Sequence, residues 1–123
     1  MKPDFEKAAL KAKELKEAGA DCPLMILKSL NHVDAASFAD ASARYGINRE
    51  ALLAMFDDGN HDAITMYRNG SYLVIYNQEL PCRIIRHAIA RELGHIVMEH
   101  DGSRPEDVRM AEAEYFAEQF LTL

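Results

Sequence analysis

The sequence contains little that would indicate a secreted, membrane or disulfide-stabilised protein. Its 123 residues include no tryptophan and two cysteines. Cys22 and Cys82 lack metal-ligand spacing, so we expect no disulfide framework and predict that both thiols are small core residues. The longest apolar runs, such as residues 23–27, are far shorter than the roughly 20 residues of a transmembrane helix. Acidic residues near the start exclude a signal peptide, so the expected location is the cytoplasm.

Lysine is also absent after the first part of the chain. All six lysines lie in residues 1–28, where five acidic residues leave a net charge of +1. Residues 29–123 contain eight arginines against fifteen acidic residues, a net charge of −7. DNA and RNA binding needs clustered basic residues, so direct nucleic-acid binding is not expected. With 49% apolar and 28% charged residues, the composition is typical of one globular domain over residues 1–123.

Apolar spacing and capping signals predict a largely helical chain. The predicted helical segments are 4–18, 22–30 (a short helix or a turn), a segment ending near residue 45, 49–56, 81–100 and 106–121. Asp4 is expected to cap the first segment, Asp34 or Ser37 the third, and Asn48 the fourth. Residues 57–60 and 101–102 are predicted to interrupt the chain between elements.

The clearest β signal consists of two runs rich in aromatic and β-branched residues, 63–68 and 71–76. Asn69 and Gly70 separate the two runs. An Asn-Gly pair in this position favours a tight antiparallel hairpin, because both turn residues need a positive φ. The predicted fold class is therefore α+β, with helices and a small antiparallel sheet that contains the 63–76 hairpin.

Residues with catalytic chemistry are concentrated on the last two predicted helices. Arg91-Glu92-Leu93-Gly94-His95 differs at one position from HExxH, in which two histidines bind one zinc ion and the glutamate activates water. The guanidinium of Arg91 stays protonated and has no lone pair, so it cannot be a zinc ligand. A further carboxylate, Glu112, follows His95 by seventeen residues.

The segments YLVIYNQELP (72–81), ELGHIVMEH (92–100) and EAEYFA (112–117) resemble the ImmA/IrrE family of zinc metallopeptidases. The similarity extends over residues 37–121. It implies a compact zincin-like α+β fold and a hydrolase that derepresses a mobile element, prophage or stress regulon by cleaving a helix-turn-helix repressor. By resemblance, Glu92 lies at the general-base position and His95 and Glu112 lie at the second and third zinc-ligand positions. The first ligand position falls on Arg91.

Zinc, which the resemblance implies, is expected to be absent or weakly bound here. Two unit charges about 4 Å apart interact by about 4 kcal/mol at an effective dielectric near 20, and a divalent ion doubles this repulsion from Arg91. Arg91 is expected to pair instead with Glu92 or Glu112, where the ion would lie.

Three hypotheses for the function follow. The preferred one is a catalytically degenerate protein that binds a repressor-like partner, whose extended segment adds as a strand beside the hairpin. The alternative is an active zinc-dependent endopeptidase that cleaves a helix-turn-helix repressor with an altered ligand set, in which Glu99 joins His95 and Glu112. The third is a relic with no partner.

Other candidate residues are assigned ordinary structural roles. His87 lies about 12 Å along the helix from His95, too far to share an ion. His100 is expected to be a helix C-terminal residue favoured by the dipole. His32 and His61 are expected to be exposed, the methionines to fill the core, and the tyrosines at 67, 72 and 76 to pack the hairpin.

Overall fold

The computed structural model describes residues 1–19, 21–55, 62–100 and 103–122. The helices are α1 (Phe5–Glu17), α2 (Pro23–Ser29), α3 (Phe38–Tyr45), α4 (Arg49–Ala54), α5 (Cys82–Val97) and α6 (Glu106–Thr122). The strands are β1 (Val33–Ser37), β2 (Ala63–Arg68) and β3 (Ser71–Tyr76). The fold is therefore α+β, as predicted. None of the helices in this part of the chain is both long and apolar enough to cross a membrane.

The predicted hairpin is confirmed, and its turn has the expected geometry. β2 and β3 pair antiparallel from Ala63 with Tyr76 to Arg68 with Ser71. Asn69 and Gly70 have φ values of 53° and 82°, and only Gly and a few residues such as Asn adopt such values readily. The sheet order is β1-β3-β2, and β1 runs parallel to β3. The prediction of an antiparallel sheet is therefore wrong in part, since the sheet is mixed.

β1 was not predicted. Its Ala35 and Ala36 are buried beside β3, and a strand of this kind depends on a pairing partner far along the chain. Ser37, the last residue of β1, accepts a hydrogen bond at Oγ from the backbone N–H of Asp40 at 3.1 Å and so caps α3. Of the two predicted caps, Ser37 is correct, whereas Asp34 lies inside the strand.

The other helix boundaries mostly follow the capping signals. Asp4 accepts a hydrogen bond from the N–H of Lys7, and Asn48 accepts one from the N–H of Ala51. α5 ends at Val97 rather than at residue 100, because Glu99 adopts a left-handed φ of 56° and reverses the chain. The predicted interruptions at 57–60 and 101–102 lie outside the described residues.

The hydrophobic core has two parts, one on each side of the sheet. The larger part includes Phe116 and Phe120 of α6 and Leu93 of α5, and the smaller part lies under α3 and α4. α5 and α6 approach closely at Gly94, where an added Cβ would lie 3.0 Å from Cδ1 of Phe116. This close packing brings the candidate site residues of the two helices together.

The prediction that both cysteines are core residues is wrong. Cys22 and Cys82 are exposed free thiols. The reason is positional, because Cys22 is the N-cap residue of α2 and Cys82 is the first residue of α5. Both therefore lie at helix ends on the surface, although their apolar character alone favours burial.

Candidate functional site

Glu92 and His95 lie one helical turn apart on the same side of α5. Their side chains are close, with Oε2 of Glu92 3.7 Å from Nε2 of His95. Glu92 is 4% exposed, so its carboxyl group has little contact with water. The structure thus brings together the predicted general-base residue and one predicted ligand residue, as their spacing on a helix requires.

Arg91 is paired with Asp62, a residue that the sequence analysis did not identify. Its Nη2 lies 2.8 Å from Oδ1 of Asp62, and its Nη1 lies 3.3 Å from Oδ2. Glu92 is a more distant neighbour, with Oε1 3.7 Å from Nη2. Burial raises the pKa of Asp62, but the Arg91 hydrogen bonds, the positive charge of Arg91 and backbone hydrogen bonds together hold this pKa below its usual value. The expected pairing of Arg91 with Glu112 is wrong, because Asp62 occupies both arms of the guanidinium.

His100 lies inside the site, so its prediction as a charged helix-end residue is wrong. It is 5% exposed, because the chain reversal at Glu99 directs it back under α5. Its Nδ1 lies 2.8 Å from Nδ1 of His95, and its Nε2 lies 2.9 Å from Oε1 of Glu112. His100 therefore links the two predicted ligand residues.

The hydrogen-bond pattern assigns the protons on the two imidazoles. Burial, together with nearby positive charge, lowers the pKa of His95 to about 3, and burial also lowers the pKa of His100. Both rings are thus neutral at pH 7. Because the carboxylate of Glu112 accepts, Nε2 of His100 carries the proton and its Nδ1 accepts from Nδ1–H of His95. Nε2 of His95 is left unprotonated and faces Glu92.

Glu112 is fully buried and accepts four hydrogen bonds from three residues. Its Oε1 accepts from Nε2 of His100 at 2.9 Å and from Nε of Arg104 at 3.1 Å. Its Oε2 accepts from Nη2 of Arg104 at 2.6 Å and from the backbone N–H of Asp4 at 2.7 Å. Burial raises the pKa of Glu112, but these donors lower it overall. We call Asp4, His100, Arg104 and Glu112 the Glu112 cluster.

An open groove of about 820 Å³ lies over Glu92, His95 and His100, between β2, α5 and the start of α6. We call it the β2 groove. The residues that line it include Met55, Thr65, Met66, Tyr67, Tyr72, Arg91, Glu92, His95, His100, Arg109 and Met110. Three methionines thus line the groove. The prediction that methionines fill the core holds for the buried Met98 and is wrong for Met1, Met25 and Met110, which are exposed. The predicted packing of the hairpin tyrosines is confirmed for Tyr67 and Tyr72, whose ring centroids are 4.9 Å apart.

Several candidate residues lie away from this site. Glu99 is exposed and lines a different depression, beside Lys11 and His32. Nε2 of His87 lies 2.9 Å from Oε1 of Glu114 on the surface. His32 is exposed as expected. The expectation for His61 falls outside the described residues.

The residues as arranged do not fit a zinc ion. Arg91 has no lone pair, and the four donors around Glu112 use both lone pairs of each carboxylate oxygen. Over 1–19, 21–55, 62–100 and 103–122, no three His, Cys, Asp or Glu side chains are placed to hold a metal ion together. Of the three positions implied by the resemblance, only Nε2 of His95 presents a free lone pair.

No protein-family model, curated protein or solved structure matches this chain. The capabilities of the site therefore follow from its own residues. It has a buried carboxyl group that can take up or release a proton, an unprotonated imidazole nitrogen beside it, and an open groove along a sheet edge. Asp62 and Arg104 give no motif signal, because each lies in a connecting segment that only the tertiary fold brings to the site.

Glu92 should make stability depend on pH. Burial raises the pKa of Glu92 from 4.5 to about 7, and the positive charge of Arg91 counters this only in part. Between these values the folded protein keeps a proton that the unfolded chain has released, so stability falls as pH rises. Glu92→Gln removes this cost. It should leave stability nearly unchanged at pH 4.5 and raise the free energy of unfolding by about 2–3 kcal/mol above pH 7.

Urea unfolding at pH 5 and pH 8 measures this effect. Glu118→Gln is the matched control, because Glu118 is an exposed glutamate of α6, and it should change stability little at either pH. A gain from Glu92→Gln that is equal at both pH values would contradict the assignment.

Proposed function

We propose that this protein binds an extended segment of a repressor-like regulatory protein along the open edge of β2 and does not cleave it. The observation that supports the proposal most strongly is the β2 groove, which runs beside an edge strand and directly over Glu92 and His95. The proposed ancestry is a zincin-like peptidase of the ImmA/IrrE type that has lost its metal.

Among the described residues, no strand pairs with the outer edge of β2, which is an edge strand in the order β1-β3-β2. Asp62 accepts from the N–H of Asn77, and the alternation of an antiparallel ladder then directs the backbone groups of residues 63, 65 and 67 away from β3. The carbonyl oxygen of Ala63 lies 3.5 Å from Nη2 of Arg91. Arg91 therefore occupies the outer edge of β2 at the first residue of the strand. The backbone of Thr65 and Tyr67 is left to pair with an added strand.

The groove walls suit apolar side chains of varied shape. Met55, Met66 and Met110 line the groove, and flexible thioether side chains adapt to different partners. Main-chain hydrogen bonds to β2 would supply affinity, and alternate side chains of the added strand would contact these methionines. A segment with apolar residues at alternating positions is therefore the preferred ligand.

We propose that the segment is not cleaved because the residues at the ligand positions cannot hold a metal ion. Arg91 cannot coordinate an ion, and the donors of the Glu112 cluster occupy the third ligand position. The repressor-like class of partner, in a mobile-element or stress-regulation setting, is supported by the resemblance of residues 37–121. The acidic charge of residues 29–123 favours action through a protein rather than on DNA directly.

The alternative proposal is an active zinc-dependent endopeptidase that cleaves a helix-turn-helix repressor with other ligands. One observation favours it. The pKa of Glu92, about 7, suits a general base at neutral pH. Glu99, the substitute ligand expected from the sequence, lies in a different depression, so such a site would need donors that the sequence analysis did not identify.

A peptide array that tiles helix-turn-helix repressors, probed with the full chain, tests both proposals. Thr65→Pro removes the outward N–H at the edge strand, a position where proline is tolerated, and Met110→Lys places a charge in the groove. Both should weaken binding of captured peptides at least about tenfold, roughly 1.4 kcal/mol. Met25→Lys is the control, because Met25 is similarly exposed on α2, outside the groove.

Mass spectrometry of the captured peptides after incubation with added zinc separates the proposals. Intact peptides support binding without cleavage. Cleavage that disappears in Glu92→Gln supports the active endopeptidase. Failure to capture any peptide, or capture that neither groove variant weakens, contradicts the binding proposal.

A further inference from the structure

We infer that two arginines exclude zinc from this site: Arg91 replaces the first ligand, and Arg104 occupies the carboxylate at the third ligand position. A histidine at position 91 would therefore not restore a metal centre by itself. This inference concerns the metal position and does not depend on peptide binding.

The carboxylate of Glu112 is already saturated with hydrogen-bond donors. An ionised carboxylate offers about four lone-pair positions, and all four are used by Arg104, His100 and the N–H of Asp4. A metal ion could bind Glu112 only by displacing one of these donors. Because Arg104 contacts both oxygens at once, in the planar fork geometry that guanidinium groups favour, it blocks both coordinating positions.

Arg104 also opposes zinc through its charge. The N–H of Asp4 and the Nε2–H of His100 are neutral donors, whereas Arg104 carries a positive charge 2.6 Å from Oε2 of Glu112. Arg104 therefore already supplies the counter-charge that a zinc ion would give this buried carboxylate. A divalent ion added at the same position would be repelled by Arg104 as well as by Arg91.

His95, in contrast, is already placed as a metal ligand would be. A zinc-bound histidine coordinates through one nitrogen while its other nitrogen contacts a neighbour that orients the ring. His95 has this geometry, because its Nδ1 lies 2.8 Å from Nδ1 of His100, which is itself held by Glu112, and its Nε2 faces Glu92. Asp62 could orient a histidine at position 91 in the same way, since it already holds the Arg91 side chain. The remaining obstacle is Arg104.

Zinc titration of four variants tests the inference. The variants are Arg91→His, Arg91→His/Arg104→Gln, Arg91→His/Arg104→Lys and Arg91→His/Arg109→Gln. Each is stripped with a chelator, and calorimetry then measures the affinity for Zn²⁺ alone. The Arg109 variant is the matched control, because Arg109 lines the same groove and its replacement removes an equal charge without a contact to Glu112.

Arg91→His/Arg104→Gln should bind one zinc ion per chain about 10- to 100-fold more tightly than Arg91→His, the scale on which residues around a ligand change metal affinity. Arg91→His/Arg104→Lys, which keeps the charge but loses the fork, should have an intermediate affinity. The Arg109 control removes a nearby charge but frees no lone pair of Glu112, so its affinity should stay much closer to that of Arg91→His than to that of the glutamine variant.

A second readout is the thermal unfolding midpoint with and without zinc, which should rise with zinc for the variant that binds it most tightly. Tight zinc binding by the unmodified chain or by Arg91→His alone would overturn the inference. If Arg91→His/Arg104→Gln does not fold, Arg91→His/Arg104→Lys is the deciding variant. A zinc affinity of that variant no greater than that of Arg91→His overturns the inference. Peptide capture by the unmodified chain is measured separately. If the chain captures peptides although the zinc result overturns this inference, the proposed binding function still stands.

Discussion

Replacing Glu112 by alanine is expected to lower the free energy of unfolding by about 3–5 kcal/mol, the cost of breaking a buried ion pair by removing one partner. Glu112 is fully buried, and its loss leaves four N–H donors of Asp4, His100 and Arg104 facing a cavity. Two of these residues come from connecting segments and one from the start of the chain, so the change also loosens the attachment of α1 to α6.

Urea unfolding at pH 7 measures the loss, with Glu118→Ala as the control. Glu118 is an exposed glutamate on the same helix, and its replacement should change stability by less than about 0.5 kcal/mol. Glu112→Gln should lie between the two, because the amide keeps the shape but can accept at only one of its terminal atoms. Equal effects of Glu112→Ala and Glu118→Ala would show that the Glu112 cluster does not stabilise the fold.

The contribution of Glu112 should also fade in acid. The pKa of Glu112 is lowered in the folded protein relative to its usual 4.5, so its stabilising effect is present above pH 4.5 and is lost as pH falls through the folded value. The difference in stability between the unmodified chain and Glu112→Gln should therefore shrink below pH 4.5. This direction is opposite to that of Glu92, whose raised pKa costs stability at high pH.

Replacing Arg91 by alanine is the second large effect, with an expected loss of about 2–4 kcal/mol. Asp62 would lose both hydrogen bonds from the guanidinium, and Glu92 would lose the positive charge that favours its ionised form. The side chains of Arg91 and Asp62 are only 15% and 11% exposed, so water replaces the lost partner poorly. Arg83→Ala, at an exposed position of the same helix, should change stability by less than about 0.5 kcal/mol.

A double-mutant cycle with Asp62→Asn isolates the pair. If Arg91 acts through Asp62, the combined variant should lose less than the sum of the two single losses, with a coupling of at least about 1 kcal/mol. Additive losses would contradict the pairing. A cycle of Arg91→Ala with Glu92→Gln should show a smaller coupling, because the Arg91–Glu92 distance of 3.7 Å is longer than the 2.8 Å to Asp62.

Much of the fold could be predicted because its signals are local. Asp4, Asn48 and the Asn69-Gly70 pair act within a few residues of themselves, so their caps and turn are confirmed. β1 could not be predicted, since small residues such as Ala35 and Ala36 become a strand only through pairing with β3. The exposure of the two cysteines was also not predicted. The apolar character of a thiol favours burial, but it does not indicate that a residue lies at a helix end on the surface.

In the site, too, only the residues placed by local spacing could be predicted. Glu92 and His95 share a helical face by spacing alone, and Glu112 joins them because Gly94 lets α6 approach α5. His100 reaches the site only through the left-handed turn at Glu99. Arg104 reaches Glu112 from the segment that precedes α6. The contacts of His100 and Arg104 could not be predicted, because neither follows from a helical or strand periodicity in the sequence.

The sequence by itself determined that position 91 cannot coordinate a metal, because the protonation and lone pairs of a guanidinium are properties of the side chain. Only the tertiary structure decided which carboxylate each arginine neutralises: Asp62 for Arg91, and Glu112 for Arg104. Coulomb attraction and burial depend on distances through space. A residue twenty-nine positions away in the chain can therefore be a closer partner for Arg91 than the glutamate next to it.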